Sequence, residues 1–246
     1  MSKIKLALID IDGCLTGGKG VDINLSDIQR IALSQSVPVS ICTGRSQPYV
    51  EALLQVLGLS SSETPSVVEN GCFLYIPKED MIVINPLIRG MEAEFSLLKA
   101  CILRKIINLN YAKLEPGKEL CISMNPINIS IKKLRDMTER VIVDNSFDSV
   151  ACVSNSNSAV DITPVNVDKG SGVSHLIDVI GIELEDILGV GDSNGDIPML
   201  EKVGICACPN NATEDVKNLV RAKNGYISDF CFTKGVVDIL EYFELL

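Results

Sequence analysis

Two aspartates stand two residues apart at the end of an apolar run, in the stretch LALIDIDGCLT at residues 6–16. Side chains alternate between the two faces of a strand, so Asp10 and Asp12 are predicted to point the same way. At ~4 Å two ionised carboxylates repel each other by roughly 4 kcal/mol when the effective dielectric constant is about 20. The pair therefore needs a positive charge close to it.

Other polar residues also follow apolar runs. Thr43 and Gly44 come after VPVSIC, Asp192 and Asp196 lie in GDSNGD after DILGV, and Lys169 precedes a helical pattern. Ligands of an open parallel sheet bind beyond the carboxyl ends of its strands, where we expect these residues to meet. Carboxylate oxygens are ligands that Mg²⁺ favours. A helix that begins at Thr43 and Gly44 would favour an anion such as a phosphate at its N-terminus, and Lys169 would add a positive charge beside that phosphate.

The two ends of the chain alternate short apolar runs with helical patterns, which is typical of a parallel sheet covered by helices on both faces. This pattern favours an α/β fold with a doubly wound, mostly parallel sheet and a Rossmann-like core. Residues 86–164 differ, with a long helix near 91–108 followed by strands and another helix. We therefore predict a catalytic core domain from 1–85 and 165–246, and an inserted α+β cap domain at 86–164.

Composition excludes several classes of partner. The 246 residues carry a formal net charge of -10, which argues against nucleic acid or an anionic membrane, because both bind clustered Lys and Arg. No apolar run approaches a membrane span, and the start of the chain does not fit a signal peptide. Nine cysteines without a C-x-x-C pair lie mostly in apolar runs, as buried thiols do in a reducing cytosol. We expect a cytoplasmic monomer or homodimer.

Two carboxylates beside one phosphate can divide the chemistry between them. A metal-bound carboxylate can attack phosphorus and form an aspartyl-phosphate. The second carboxyl group can protonate the leaving oxygen and later deprotonate the attacking water. The spacing of Asp10 and Asp12 therefore favours phosphoryl transfer.

The motifs, taken in order, resemble the haloacid-dehalogenase superfamily of phosphatases. DIDGCLT is similar to its first motif, ICTGR to its second, VDKG to its third and GVGDSNGDIPML to its fourth. ENG at 69–71, DITP at 161–164 and NNATEDVKNLV at 210–220 are similar to the Cof-type branch. That branch carries an α+β cap between the second and third motifs, where this chain has its insert. The resemblance covers nearly the whole chain.

The resemblance implies a role for each matching residue. Asp10 would be the nucleophile and Asp12 the general acid/base. The implied substrate-binding residues are Thr43, Gly44, Lys169 and Asn211, although turn chemistry explains Asn211 equally well. The implied Mg²⁺ ligands are Asp10, Asp12, Asp192 and Asp196. Gly195 stands where the branch has an asparagine near the metal, and Asn194 comes one place earlier.

The sequence thus predicts a Mg²⁺-dependent phosphatase for a small phosphorylated substrate, such as a sugar phosphate or phosphoglycolate. A phosphomutase or phosphotransferase that uses the same aspartyl-phosphate is the alternative, and phosphate release without an acceptor would distinguish them. Arg45 is expected to be salt-bridged rather than catalytic, and the single histidine, His175, to be structural.

Overall fold

The computed structural model describes residues 4–17, 24–33, 36–156 and 158–246. The strands in these ranges are β1 (Leu6–Ile9), β2 (Val39–Ile41), β3 (Ser66–Val68), β4 (Phe73–Ile76), β5 (Met81–Ile84), β6 (Ala112–Leu114), β7 (Ile122–Pro126), β8 (Ala151–Asn155), β9 (Val160–Pro164), β10 (Ile187–Val190), β11 (Ile205–Cys208) and β12 (Tyr226–Ile227). The α-helices are α1 (Leu25–Ala32), α2 (Gln47–Val56), α3 (Glu92–Ile102), α4 (Ile131–Asp144), α5 (Lys169–Ile180), α6 (Ile197–Lys202), α7 (Glu214–Ala222) and α8 (Phe232–Tyr242).

A five-stranded parallel sheet forms the centre of the larger part of the molecule. Its strands run in the order β12-β11-β10-β1-β2, and every neighbouring pair is parallel. Ala7 and Ile9 of β1 belong to one buried cluster, which includes residues of α1, α2 and α8. Leu6 and Leu8 face the opposite cluster, which includes residues of α5, α6 and α7. Because helices cover both faces, the predicted doubly wound α/β core is confirmed.

An antiparallel hairpin sheet extends from the edge of this core. It consists of β3, β4 and β5, and an isolated bridge from Cys42 to Val67 joins it to the end of β2. The turn between β3 and β4 is a short 3-10 helix at Glu69–Gly71, whose three residues all have positive φ. The stretch SVVENGCFLYI therefore forms a strand, a turn that includes Asn70 and Gly71, and a second strand.

A second antiparallel sheet lies within the residues assigned to the cap. Its strand order is β6-β7-β9-β8, and α3 and α4 pack against each other beside it. The long helix predicted near 91–108 divides into α3 and a π-helical segment at Leu103–Ile107. β6 has three residues, too short a run for periodicity to reveal. That residues 86–164 form a separate domain stays a prediction.

The cysteines and the helices bear on the predictions made from composition. The nine cysteines are free, and six of them are buried, while Cys152 and Cys231 are exposed. Burial raises the pKa of the thiols at Cys42, Cys121 and Cys208, as expected for unreactive core residues. In the described ranges, no helix is both long enough and apolar enough to cross a bilayer.

Candidate active site

The central strands of the parallel sheet end level with one another. Ile9 of β1 pairs with Val190 of β10 on one side and with Ile41 of β2 on the other. The residues that follow these strand ends therefore emerge at the same edge, which is the usual place of a ligand site in such a sheet. Asp10, Thr43 and Asp192 all follow within two residues of these ends.

Lys169, at the first turn of α5, places its positive charge in contact with Asp10. Its Nζ donates to Asp10 Oδ1 at 2.7 Å and to Asp196 Oδ1 at 2.5 Å. All three side chains are buried. Burial lowers the pKa of Lys169, but Asp10 and Asp196 outweigh this effect and hold it well above its ordinary value. Lys169 therefore remains protonated and can also face a phosphate oxygen.

Asp196 organises the loop between β10 and α6. Its Oδ2 accepts hydrogen bonds from the backbone N of Asp192 at 3.0 Å and of Ser193 at 2.9 Å. The Ser193 hydroxyl donates to the same oxygen at 3.0 Å. Because its other oxygen accepts from Lys169, both oxygens have partners within the protein. Asp196 thus holds Asp192 and Lys169 in position, whether or not it also contacts a metal.

Three carboxylates at this edge fit a divalent cation. Asp10, Asp192 and Asp196 each offer an oxygen within 4.8 Å of the others. Among the described residues, Asp192 Oδ1 is buried without a hydrogen-bond partner. Burial and the charge of Asp196 raise the pKa of Asp10 to about 7 and that of Asp192 to about 8. Asp10 and Asp192 would hold Mg²⁺, which would keep both ionised beside a phosphate.

Asp12 lies outside this cluster of carboxylates. β1 ends at Ile9, and Asp12 forms an isolated bridge with Thr16 inside a turn. The strand alternation that predicted parallel side chains for Asp10 and Asp12 therefore does not extend to Asp12. Its two carboxylate oxygens accept hydrogen bonds from Arg45 Nε at 2.7 Å and Nη2 at 2.6 Å. Each aspartate of the opening motif has its own cation, and the structure does not bring the Asp12 side chain to the predicted metal position.

Arg45 connects the core with the residues assigned to the cap. Besides Asp12, it contacts Glu115 Oε1 through Nη1 at 3.2 Å, and its guanidinium lies 5.0 Å from the centre of the Tyr49 ring. The hydrogen bonds with Asp12 raise the pKa of Arg45 above its ordinary value. The expected salt bridge is present, and it joins the proposed general acid to the cap.

The helix expected at Thr43 and Gly44 begins later. α2 starts at Gln47, with Ser46 as its N-cap. Proline is favoured in the first helical turn, where its missing N–H group has no helical partner to lose. Pro48 is the second residue of α2, so it fits a helix that starts here. The prediction that Thr43 and Gly44 open the helix is therefore wrong, and both residues lie in the loop before it.

The loop after β2 nevertheless lies close to the site. Thr43 is buried, and its Oγ1 accepts a hydrogen bond from the backbone N of Arg45 at 3.2 Å. A Cβ added to Gly44 would lie 2.8 Å from Asn70 Oδ1, so a larger residue at position 44 would displace Asn70. Gly44 thus allows the two loops to approach each other closely.

Asn211 supports the loop that carries Asp12. Its Nδ2 donates to the backbone O of Gly13 at 2.9 Å, and its Oδ1 accepts from the backbone N of Phe232 at 2.7 Å. Both ends of the amide therefore bind backbone atoms. Of the two interpretations left open by the sequence, this contact favours a role in loop structure.

Asn194 does not take the place of the asparagine that Gly195 replaces. Its Nδ2 donates to Asp215 Oδ2 at 3.0 Å, and its Oδ1 accepts from Thr213 Oγ1 at 2.9 Å. These partners lie at the start of α7, and Asn194 is exposed. The metal position therefore has no contribution from this side chain.

Glu69 joins the core to residues assigned to the cap, and the sequence did not predict this contact. Its side chain is buried and accepts hydrogen bonds, each of 3.0 Å, from the backbone N atoms of residues 119–121. Burial raises the pKa of Glu69, and these backbone donors oppose that effect. The partners are at least 50 residues apart in sequence, so no local pattern could have predicted the contact.

Comparisons with known proteins agree with this geometry. A family model described as haloacid dehalogenase-like hydrolase matches residues 7–112 and 108–239. A phosphoglycolate phosphatase of Metallosphaera sedula is 28% identical over 219 residues, which is 88% of this chain and 90% of that protein. Phosphoglycolate phosphatase 1 of Saccharolobus solfataricus is 28% identical over 242 residues, 97% of this chain and 95% of that protein. A solved structure of a haloacid dehalogenase-like hydrolase from Bacteroides thetaiotaomicron has the same fold, with a TM-score of 0.74, 18% identity, and coverage of 98% of this chain and 99% of that chain.

Proposed function

This chain belongs to the haloacid dehalogenase-like hydrolases, and on that basis we propose that it is a Mg²⁺-dependent phosphatase of a small phosphate monoester. The substrate class is a sugar phosphate or phosphoglycolate, and the reaction proceeds through an aspartyl-phosphate. The observation that carries the proposal is the buried contact of Lys169 with Asp10 and Asp196, beside Asp192. Such a site combines a carboxylate nucleophile with the charges that a phosphate requires.

The proposed reaction assigns one step to each carboxylate of the first motif. Asp10 Oδ attacks phosphorus, the bond to the leaving oxygen breaks, and Asp12 gives that oxygen its proton. Asp12 then takes a proton from water, which attacks the aspartyl-phosphate and releases phosphate and free Asp10. Lys169 can stabilise charge on the phosphoryl oxygens.

Asp12 can donate a proton only after its contact with Arg45 changes. Both oxygens of Asp12 accept hydrogen bonds from Arg45, and an oxygen that carries the proton to a leaving group must turn toward that group instead of Arg45. Arg45 is also bound to Glu115, so movement of the cap residues would alter the same contact. We infer that residues 86–164 act as a cap whose position is coupled to the state of Asp12.

Phosphate release tests the proposed function. Purified protein is assayed with p-nitrophenyl phosphate and a panel of small phosphomonoesters, first with excess chelator and then with Mg²⁺. We expect no turnover with chelator, recovery with Mg²⁺, and loss of turnover in Asp10→Asn. Asp136→Asn, an exposed aspartate on α4, is the matched control and should retain activity.

Two results would contradict the proposal. Full turnover in excess chelator would show that the reaction does not need the metal. Full turnover by Asp10→Asn would show that Asp10 is not the nucleophile. Transfer of the phosphoryl group to an added acceptor sugar, with no release of inorganic phosphate, would instead identify a phosphotransferase. The proposed cytoplasmic location is tested separately by fractionation of cells that express the protein.

A further inference from the structure

Residues 11–16, which carry Asp12, form a tight turn that we call the acid turn. Hydrogen bonds between its own backbone atoms close it. Gly13 N donates to Thr16 O at 2.7 Å, and Thr16 N donates to Ile11 O at 2.8 Å. The backbone on either side of Asp12 therefore has a defined geometry, which sets where its side chain starts.

The Asp12 carboxyl group depends on the acid turn for its position during proton transfer. Its side chain is half exposed, and both carboxylate oxygens bind Arg45. The proposed transfer requires that contact to change, which leaves the backbone to direct the carboxyl group. A general acid must lie within hydrogen-bond reach of the leaving oxygen. Groups that hold the acid turn from outside therefore bear on this step.

Two carbonyl groups of the acid turn accept hydrogen bonds from distant parts of the chain. Thr233 Oγ1, in the first turn of α8, donates to Leu15 O at 3.0 Å, and Asn211 Nδ2, in the loop after β11, donates to Gly13 O at 2.9 Å. These partners are 218 and 198 residues apart in sequence. Leu15 and Thr233 are both buried. Loss of the hydroxyl would therefore leave the Leu15 carbonyl unpaired in the protein interior.

The backbone at the start of α8 is strained where it meets these contacts. Phe232, the first residue of α8, has a φ of +53°, a left-handed value that an aromatic residue rarely adopts. Its backbone N donates to Asn211 Oδ1 at 2.7 Å, so the amide that binds the acid turn also binds α8. Such conformations persist where the surrounding structure fixes them, and they cluster at functional sites. Asn211, Phe232 and Thr233 thus form one connected support, which we call the α8 brace.

We propose that Thr233 is a positioning residue for the general acid, and that the α8 brace holds the acid turn so that Asp12 can protonate the leaving oxygen. This inference rests on the proposed phosphatase function and adds to it a residue of the last helix. Thr233 is buried and acts through the Leu15 carbonyl rather than on the substrate. Its hydroxyl should therefore matter most when the leaving group needs a proton.

The dependence of the rate on the leaving group tests the proposal. An alkoxide needs a proton as it leaves, whereas p-nitrophenolate leaves readily without one. kcat/KM is compared for p-nitrophenyl phosphate and for the alkyl phosphate of the panel that the wild type hydrolyses fastest. Thr233→Val keeps the shape of the side chain and removes its hydroxyl. We expect it to lower kcat/KM about tenfold for the alkyl phosphate and less than about twofold for the aryl phosphate, since small displacements of a catalytic group are costly.

Three further variants separate positioning from a general loss of stability. Thr233→Ser keeps the hydroxyl and should keep the wild-type ratio of alkyl to aryl turnover. Asn211→Ala removes the other contact from outside the acid turn and should show the same selective loss as Thr233→Val. Thr138 of α4 is also buried, and its hydroxyl donates to the backbone O of Leu134 at 2.8 Å. Thr138→Val, which removes the same kind of bond away from the acid turn, is the matched control and should keep the wild-type ratio.

Amide hydrogen exchange provides a second measurement that does not depend on activity. The N–H groups of Gly13 and Thr16 are bonded within the acid turn, so they should exchange faster in Thr233→Val than in the wild type, and at the wild-type rate in Thr138→Val. Unchanged exchange in Thr233→Val would overturn the proposed support of the turn.

The kinetic outcomes distinguish this inference from the proposed function. Equal losses for alkyl and aryl phosphates in Thr233→Val, or no loss for either, would overturn the positioning role alone while the wild type remains a phosphatase. A wild-type protein that hydrolyses no substrate with Mg²⁺ would refute the phosphatase and this inference together. Comparing two substrates within one variant cancels any loss of folded protein, and Asn211→Ala applies the same test if Thr233→Val does not fold.

Discussion

Replacing Asp10 with asparagine removes one negative charge from the buried carboxylates but keeps the size of the side chain. Burial and Asp196 raise the pKa of Asp10 from 3.8 to about 7 in the metal-free protein, although Lys169 opposes them. Each pKa unit corresponds to about 1.4 kcal/mol, so ionising Asp10 in the folded state costs up to about 4 kcal/mol more than in the unfolded chain. Asp10→Asn is therefore expected to stabilise the metal-free protein at high pH.

The free energy of unfolding of the metal-free protein changes with pH in a definite direction. The unfolded carboxyl group loses its proton near 3.8, whereas folded Asp10 keeps it until about pH 7. Between these values the folded protein binds more protons, so the free energy of unfolding falls as the pH rises. Asp192, with its pKa raised to about 8, extends the fall to higher pH. Asparagine at position 10 has no proton to lose, so the variant should show a smaller fall.

Urea denaturation followed by circular dichroism measures this difference. Wild type, Asp10→Asn and the control Asp136→Asn are unfolded in chelator at about pH 5 and about pH 8, and again with Mg²⁺. Wild type should lose more stability than Asp10→Asn between the two pH values. Mg²⁺ should stabilise wild type more, because a ligand that binds only the folded state adds to its stability. Equal pH dependence in wild type and Asp10→Asn, or equal stabilisation by Mg²⁺, would refute the reasoning.

Three other variants test separate contacts. Asp12→Asn should lower the steady-state rate of hydrolysis of alkyl phosphates by about 10²- to 10⁴-fold and that of aryl phosphates less, because only an alkoxide leaving group needs a proton donor. Equal losses of rate for both substrate classes would contradict the role of Asp12. Glu69→Ala leaves backbone donors of residues 119–121 unpaired, so their amide hydrogen exchange should accelerate, and unchanged exchange would refute the contact. Gly13→Ala should weaken stabilisation by Mg²⁺, because its φ is +94° and a Cβ would lie 2.1 Å from the Asp192 carboxylate. Gly195→Ala is the control, because a Cβ at this position would lie 3.6 Å from Ser193 Oγ. This variant should keep the stabilisation by Mg²⁺.

The sequence by itself determined the parallel core and the residues that gather at its edge. Strands and helices are local patterns of apolar side chains, and the ends of neighbouring parallel strands must meet. The positions of Asp10, Lys169 and Asp192 follow from this rule, because each lies next to a strand or helix that the pattern of apolar residues predicts. The helical pattern QPYVEALLQVL corresponds to α2, whereas the interpretation of Thr43 and Gly44 as a helix start is wrong, because the chain forms a loop as far as Ser46.

Only the tertiary structure decided which charges are paired. Asp12 lies after the end of β1 at Ile9 and outside the cluster of Asp10, Asp192 and Asp196, and Arg45, distant in sequence, holds it. The contacts of Glu69 with residues 119–121, and of Arg45 with Glu115, join segments that are 50 to 70 residues apart. Such contacts depend on how the cap residues are placed against the core. Side-chain periodicity carries no information about that placement, since it reports only which face of an element is buried.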